Sequence, residues 1–195
     1  MSPETPHLGF EANFFSDYSI ILDHPITEVF STIGTSKGHE RTTRLSGLCS
    51  EFELQHHDTV SIPQNTLLVE TNTRSLDSSL RLTSEYDAES LTRQIDRQFF
   101  TLQETVPVAF GLLHVKVKIS GTLSWDEKSK VALYESKTDS GILIWKSRVF
   151  EKIDDKRTRV SEKIRGKCPS WLRIIVQSQT LKGHIAHMDL YPTLF

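Results

Sequence analysis

The chain has 195 residues, of which 37% are hydrophobic, 25% charged and 9% aromatic, the composition of a folded globular chain of one domain or at most two. Lys and Arg total 23 against 25 Asp and Glu, a formal charge of −2, and without a basic stripe no nucleic-acid partner is expected. A chain this long buries enough apolar surface to hold a core without a disulfide or metal staple, so Cys49 and Cys168 are expected to be reduced thiols of an intracellular protein.

The first fifteen residues carry Pro3, Glu4, Pro6 and Glu11 where a secretory signal would place positive charge and then an apolar run. The longest apolar stretch, residues 106–113, is broken by Pro107 and Gly111 and falls far short of the roughly 20 residues of a membrane span. A cytoplasmic protein with no membrane span is expected. Residues 1–13 show no periodicity and read as an N-terminal arm of one domain covering 1–195. Residues 15–23 read as a strand ending at His24-Pro25, where Pro25 suits the start of a helix. Ile26, Val29, Phe30 and Ile33 then follow at helical spacing, and Gly34 stops them. The polar stretch 35–47 is either a short helix or a loop.

Residues 49–55 and 58–62 read as strands, with 67–71 a candidate continuation past Pro63, and the Ser-, Thr-, Asp- and Glu-rich stretch 72–90 as a surface excursion. Five strands follow, at 95–106, 113–125, 131–138, 142–153 and 158–167, joined mostly by short polar turns such as Asp126-Glu127-Lys128-Ser129. Such spacing makes an antiparallel meander. In 113–125 the residues Leu113, Val115, Val117, Ile119, Leu123 and Trp125 alternate with polar ones, predicting one dry and one wet face. Pro169 opens a helix running to Leu190, in which Trp171, Ile174, Ile175, Leu181, Ile185 and Met188 recur at helical spacing. That pattern predicts an apolar face on a helix about 33 Å long.

This order resembles the START-like helix-grip superfamily, also called SRPBCC, which includes lipid-transfer, coenzyme Q-binding and polyketide cyclase-like proteins. The resemblance rests on Ile20-Ile-Leu-Asp-His-Pro-Ile-Thr-Glu-Val-Phe30, on Gly121-Thr-Leu-Ser-Trp125, on the strands 144–151 and 158–166, and on the helix from Pro169. It implies an α+β fold, a curved antiparallel β-sheet wrapped around a long C-terminal α-helix, with an apolar cavity between them for a small hydrophobic partner. These patterns concern fold and carry no catalytic signature.

No dinucleotide fingerprint, phosphate loop, nucleophile elbow or Cys-x-x-Cys occurs, and no cofactor is expected. His39-Glu40-Arg41-Thr42-Thr43 begins like a zinc-protease helix but lacks the second histidine, and the His184 and His187 pair lacks further ligands, so no metal is expected. Charged residues in phase with apolar ones are more informative. Val160, Glu162 and Ile164 share one strand face, and Phe100, Leu102, Glu104 and Val106 share another. Glu104 and Glu162 are therefore candidate catalytic acids or bases, or else structural partners of Arg97 or Arg148. Phe100, Tyr134, Trp145, Trp171 and Ile175 are the candidate ligand contacts. Two functions are consistent with these residues: binding or transfer of a small lipid-like or aromatic molecule, and a cofactor-free cyclase, dehydratase or isomerase acting on a hydrophobic metabolite. Docking of a protein partner on the sheet is disfavoured, since no extended charged face is evident.

Overall fold

The computed structural model describes residues 8–76, 92–108 and 113–195. Its elements in chain order are β1 (Phe14–Leu22), α1 (Ile26–Val29) running on into a π turn (Phe30–Gly34), α2 (His39–Arg44), β2 (Cys49–Pro63), β3 (Thr92–Val108), β4 (Leu113–Asp126), β5 (Val131–Thr138), β6 (Leu143–Lys152), β7 (Thr158–Lys167) and α3 (Arg173–Asp189). The seven strands form one antiparallel sheet in the order β1-β7-β6-β5-β4-β3-β2. The meander is thus closed at one end by the first strand.

Period-2 alternation sorts the strands into two faces. The inner face, toward α1 and α3, carries Leu22, Phe100, Leu102, Leu123, Phe150 and Val160, packed with Val29, Phe30, Ile33, Met188 and Tyr191. Close backbone contacts shape this layer. A side chain at Gly121 would collide with the Phe100 ring and the Glu135 carbonyl, and one at Gly38 would strike the Thr32 carbonyl, so these glycines let Phe100 lie flat on β4 and let α2 pack against the preceding turn.

The outer face is covered as well, contrary to a sheet with one wet side. Val60, Ile62, Ile95, Val131, Leu133 and Trp145 form a second core under Leu8, Phe10, Ala12 and Leu68. The described part of the N-terminal arm is therefore a packed strip, and the stretch expected as a strand at 67–71 is instead a 3-10 turn (Leu68–Glu70). Arg97, 2% exposed, holds this layer in place. Its Nε and Nη2 donate to the Asp58 carboxylate at 2.9 and 2.7 Å, and its Nη1 donates to the carbonyls of Thr73 and Leu76. The excursion at 72–90 is described only to Leu76, where it packs on the sheet; the rest of it lies outside the described residues. Residues 49–63 form one strand, bulged between Leu54 and His57, which turns Val60 and Ile62 outward while Phe52 stays inside. Both cysteines are free thiols. No helix among the described residues is long and apolar enough to cross a membrane.

Candidate functional site

A cavity of about 270 Å³ opens between the inner face, α2 and α3. Leu48, Leu102, Leu123, Ile144 and Ile164 supply apolar walls, and His39, Glu104, Tyr134, Lys146, His184 and His187 supply polar ones. A larger open depression of about 810 Å³ lies across β2–β5, where Glu51, Glu53, Lys118, Lys137 and Asp139 are exposed. Those charges lie in open solvent, whereas the smaller cavity joins buried polar groups to apolar walls and is the candidate site.

Each polar side chain is placed by strand register. Lys146 and Arg148 follow Ile144 on the inner face of β6; Lys146 lies opposite Tyr134 of β5 and Ile164 of β7, and Arg148 opposite Glu162. Glu104 stands near the far end of β3, opposite Cys49. His39 begins α2 and lies edge-on to Phe52, Phe100 and Tyr134, with ring centroids 5.2, 4.6 and 6.0 Å away.

Beneath the cavity floor Glu162 is fully buried, and both of its carboxylate oxygens accept hydrogen bonds. Oε1 accepts from Arg148 Nε and from the Tyr191 hydroxyl at 2.5 Å, and Oε2 accepts from His184 Nε2 at 3.2 Å. His184 Nδ1 is 2.8 Å from the Ser16 hydroxyl, and Arg148 also donates to the Ile33 carbonyl and, at 2.8 Å, to Tyr191. Burial alone would raise the Glu162 carboxyl. The charges of Arg148 and Lys146, with the bonds from His184 and Tyr191, instead hold it well below the usual carboxylate range. Glu162 is thus a permanent anion joining β7, β6, β1, the first helical segment and the C-terminal end of the chain.

The groups that line the cavity are poised differently. Glu104 accepts no hydrogen bond from the described residues, and burial pushes its carboxyl up, opposed by the charge of Lys146. Lys146, 16% exposed, sits 3.7 Å from Glu162 Oε2 and over the Tyr134 ring at 4.9 Å. His39 is buried with Nε2 unpartnered, and burial with the nearby charges of Arg148 and Lys146 lowers it to about 3. It is neutral at pH 7. An orphaned ring nitrogen in a cavity wall is a ready partner for a polar atom of a bound molecule.

The unfolded chain protonates His39 near 6.5 and the folded chain only near 3. In that window the unfolded state binds more protons, so His39 makes stability fall as pH drops, by up to about 1.4 kcal/mol per pH unit. His39→Phe, which fits its aromatic surroundings, is expected to remove that slope in urea melts between pH 6.5 and 4.5. An unchanged slope would show that His39 takes up its proton in the fold.

Of the side chains proposed from sequence, the structure brings Glu104 and Tyr134 to the cavity and puts Glu162 beneath it. Arg148 is the partner of Glu162, whereas Arg97 is on the other face. Phe100 packs behind His39. Trp145 falls out of phase, on the outer face, where its Nε1 donates to the Thr71 carbonyl at 3.1 Å. Trp171 and Ile175 lie outside the cavity altogether. Most apolar side chains expected inside are exposed, Trp171 just before α3 at 80% and Ile174 within it at 84%, while His184 and Met188 face the sheet. Leu172 and Val176 pack on Phe14 and Ile164, and beyond them hydrogen bonds of Gln177 and His184 to β1 and β7 orient the helix. His184 and His187 do not converge, because His187 Nε2 donates to the Thr42 carbonyl at 2.7 Å. Sequence reasoning passed over Lys146, although Ile144, Lys146, Arg148 and Phe150 alternate as clearly as the strands carrying the glutamates. His39 gave no such signal, since its helix is one turn and a half long and its burial depends on Gly38.

No family model matches the chain, and no curated protein matches it in sequence. Solved structures do. The Zhui aromatase/cyclase of a Streptomyces species superposes with a TM-score of 0.58 at 8% identity, over 92% of this chain and 91% of that one. Norcoclaurine synthase from Thalictrum flavum gives 0.55 at 11%, over 92% and 91%, and a Thermus thermophilus protein 0.56 at 13%, over 92% and 95%. The chain has the START-like helix-grip fold. At these identities the likeness concerns architecture, and the START-like frame sets where a cavity lies without setting what occurs in it.

Proposed function

We propose that this START-like protein binds a small, largely apolar molecule in the cavity between sheet and α3 and transfers protons on it, as a cofactor-free cyclase, dehydratase or isomerase. The observation that carries this reading is Glu104, a half-buried carboxyl raised by burial and accepting no hydrogen bond from the described residues, on the wall shared with His39 and Tyr134. A carrier needs shape and one or two anchors, whereas this wall offers an acid/base and neutral hydrogen-bonding groups for a substrate oxygen. Burial raises the Tyr134 hydroxyl too, which keeps it a donor. The aromatase/cyclase and the synthase of the same fold support the reading by analogy.

Gly183 tests the binding half. It lines the cavity from α3, and a Cβ built there meets nothing within 4 Å. Gly183→Phe should therefore occupy the cavity without disturbing the fold. The dye Nile red is expected to bind the natural chain at micromolar strength with blue-shifted emission, and the Phe variant at least ~10-fold more weakly. Gly183→Ala should raise stability by about 0.5–1 kcal/mol through helix propensity alone. Equal dye affinity in the Phe variant would place binding elsewhere.

A further inference from the structure

We propose that Lys146 is a nucleophilic amine that joins an aldehyde or ketone carbonyl of the bound molecule as an imine. The inference rests on the cavity reading above and specifies its substrate class.

A lysine paired for stability would donate to its carboxylate. Lys146 Nζ stops 3.7 Å from Glu162 Oε2, a long ion pair beyond ordinary hydrogen-bond length, while the short contacts of that carboxylate go to Arg148, Tyr191 and His184. Burial strips most of the water from the amine and disfavours an ammonium, against the pull of the Tyr134 ring face and of Glu104. The Ile164 side chain and the Tyr134 ring flank it across the sheet, and Arg148 presents a second cation on the same face of the same strand. Desolvation beside another positive charge is a general way to make a lysine amine more available, and here burial, with Arg148 adding to it, outweighs Glu162 and Glu104 and lowers the lysine. The amine also faces open space, since it lines the cavity.

Glu104 lies close enough for its charge and that of Lys146 to act on each other. The amine lone pair attacks the carbonyl carbon; a C–N bond forms, the carbonyl π pair moves to oxygen, and that oxygen takes the proton the attacking nitrogen sheds. The carbinolamine then loses water as its C–O bond breaks, with the Glu104 carboxyl protonating the departing hydroxyl and the nitrogen proton returning to the carboxylate. The balance is amine plus carbonyl to imine plus water, with no oxidant or reductant. Protonated again on nitrogen, the imine becomes an iminium that makes the neighbouring C–H more acidic than in the carbonyl compound, the chemistry Glu104 is placed to continue.

The test uses the full chain at pH 7 with 2-naphthaldehyde and sodium cyanoborohydride, which reduces an imine to a stable amine, followed by peptide mass mapping. Lys146 is expected to be labelled at least tenfold faster than any other lysine. 2-Naphthalenemethanol, the same skeleton without a carbonyl, should slow that labelling, and Lys146→Arg should abolish the adduct. The protection arm needs no variant and stands even if Lys146→Arg does not fold. Labelling of Lys146 no faster than exposed lysines, while the alcohol still displaces Nile red, overturns the imine and leaves the cavity reading intact. Failure of both aromatic probes and Nile red to bind overturns the cavity reading itself.

Discussion

Replacing Arg148 with methionine is expected to lower stability by about 3–5 kcal/mol, the scale for stripping one partner from a buried charge pair. Methionine matches the aliphatic part of the side chain, so the loss comes from what arginine did for its neighbours. Glu162 would keep a carboxylate with zero exposure and lose its guanidinium, the Ile33 carbonyl would lose a donor, and the Tyr191 hydroxyl would lose its contact with the guanidinium. Glu162→Gln on the same background should recover part of the loss, because the uncompensated charge is gone. Urea melts of the four proteins give the coupling energy directly. The sign with pH is fixed too. The Glu162 carboxyl is held below its ordinary 4.5 in the fold, so its stabilisation is complete above that value and is lost as pH falls toward the folded one. A single Arg148→Met variant within 1 kcal/mol of the natural chain would mean that water reaches this pair.

Glu104→Gln is expected to reduce proton transfer by ~10²-fold or more while leaving the fold intact, the usual scale for a lost general acid or base. The exchange of the methyl protons of 2-acetylnaphthalene for deuterium, followed by NMR in D₂O, measures that step without knowledge of the natural substrate. Stability should move the other way. The folded chain holds the Glu104 proton more tightly than the unfolded one, so the natural chain loses stability as pH rises from the ordinary value of 4.5 through the folded one, and glutamine does not. Glu162→Gln separates the two roles, since that carboxylate lies under the floor and its loss should appear in the melting temperature. Exchange equally fast in both variants and in the natural chain would remove Glu104 from the chemistry.

The strand faces of Glu104 and Glu162 were legible because period-2 alternation survives wherever one face is buried. Trp145 enters as a candidate for its aromatic bulk, without regard to its phase. Its face of β6 reads as the wet one only if the sheet has a wet side, and here the polar segment around Asn72 and the strip at Leu8 cover it, held by bonds such as Asn72 Nδ2 to the Leu8 carbonyl at 2.9 Å. Segments that pack through backbone carbonyls and short polar side chains leave no hydrophobic period to read. The last helix failed for the converse reason. Its apolar residues do recur at helical spacing, but the partner surface offers Ser16, Tyr18 and Glu162, so the helix turns His184 inward and bonds Tyr18 to Asp189 at its end. Hydrophobic periodicity finds a helix; it orients one only when the surface beneath is apolar.

The sheet order also dictates when this chain can fold. β1 is made before the other strands, yet its strand neighbour among the described residues is β7, and Asn13 bonds Cys168 across 155 positions of sequence. While the ribosome is still adding β2 through β6, Phe14, Ile20 and Leu22 have no strand to lie beside, and the partner edge on β7 does not exist. Tyr191 and Leu194, both buried, arrive later still. Closure therefore waits until β7 has been made, slowed by the long loop that must be brought together, and a nascent chain halted before β7 would present an unpaired edge of β6 to its neighbours.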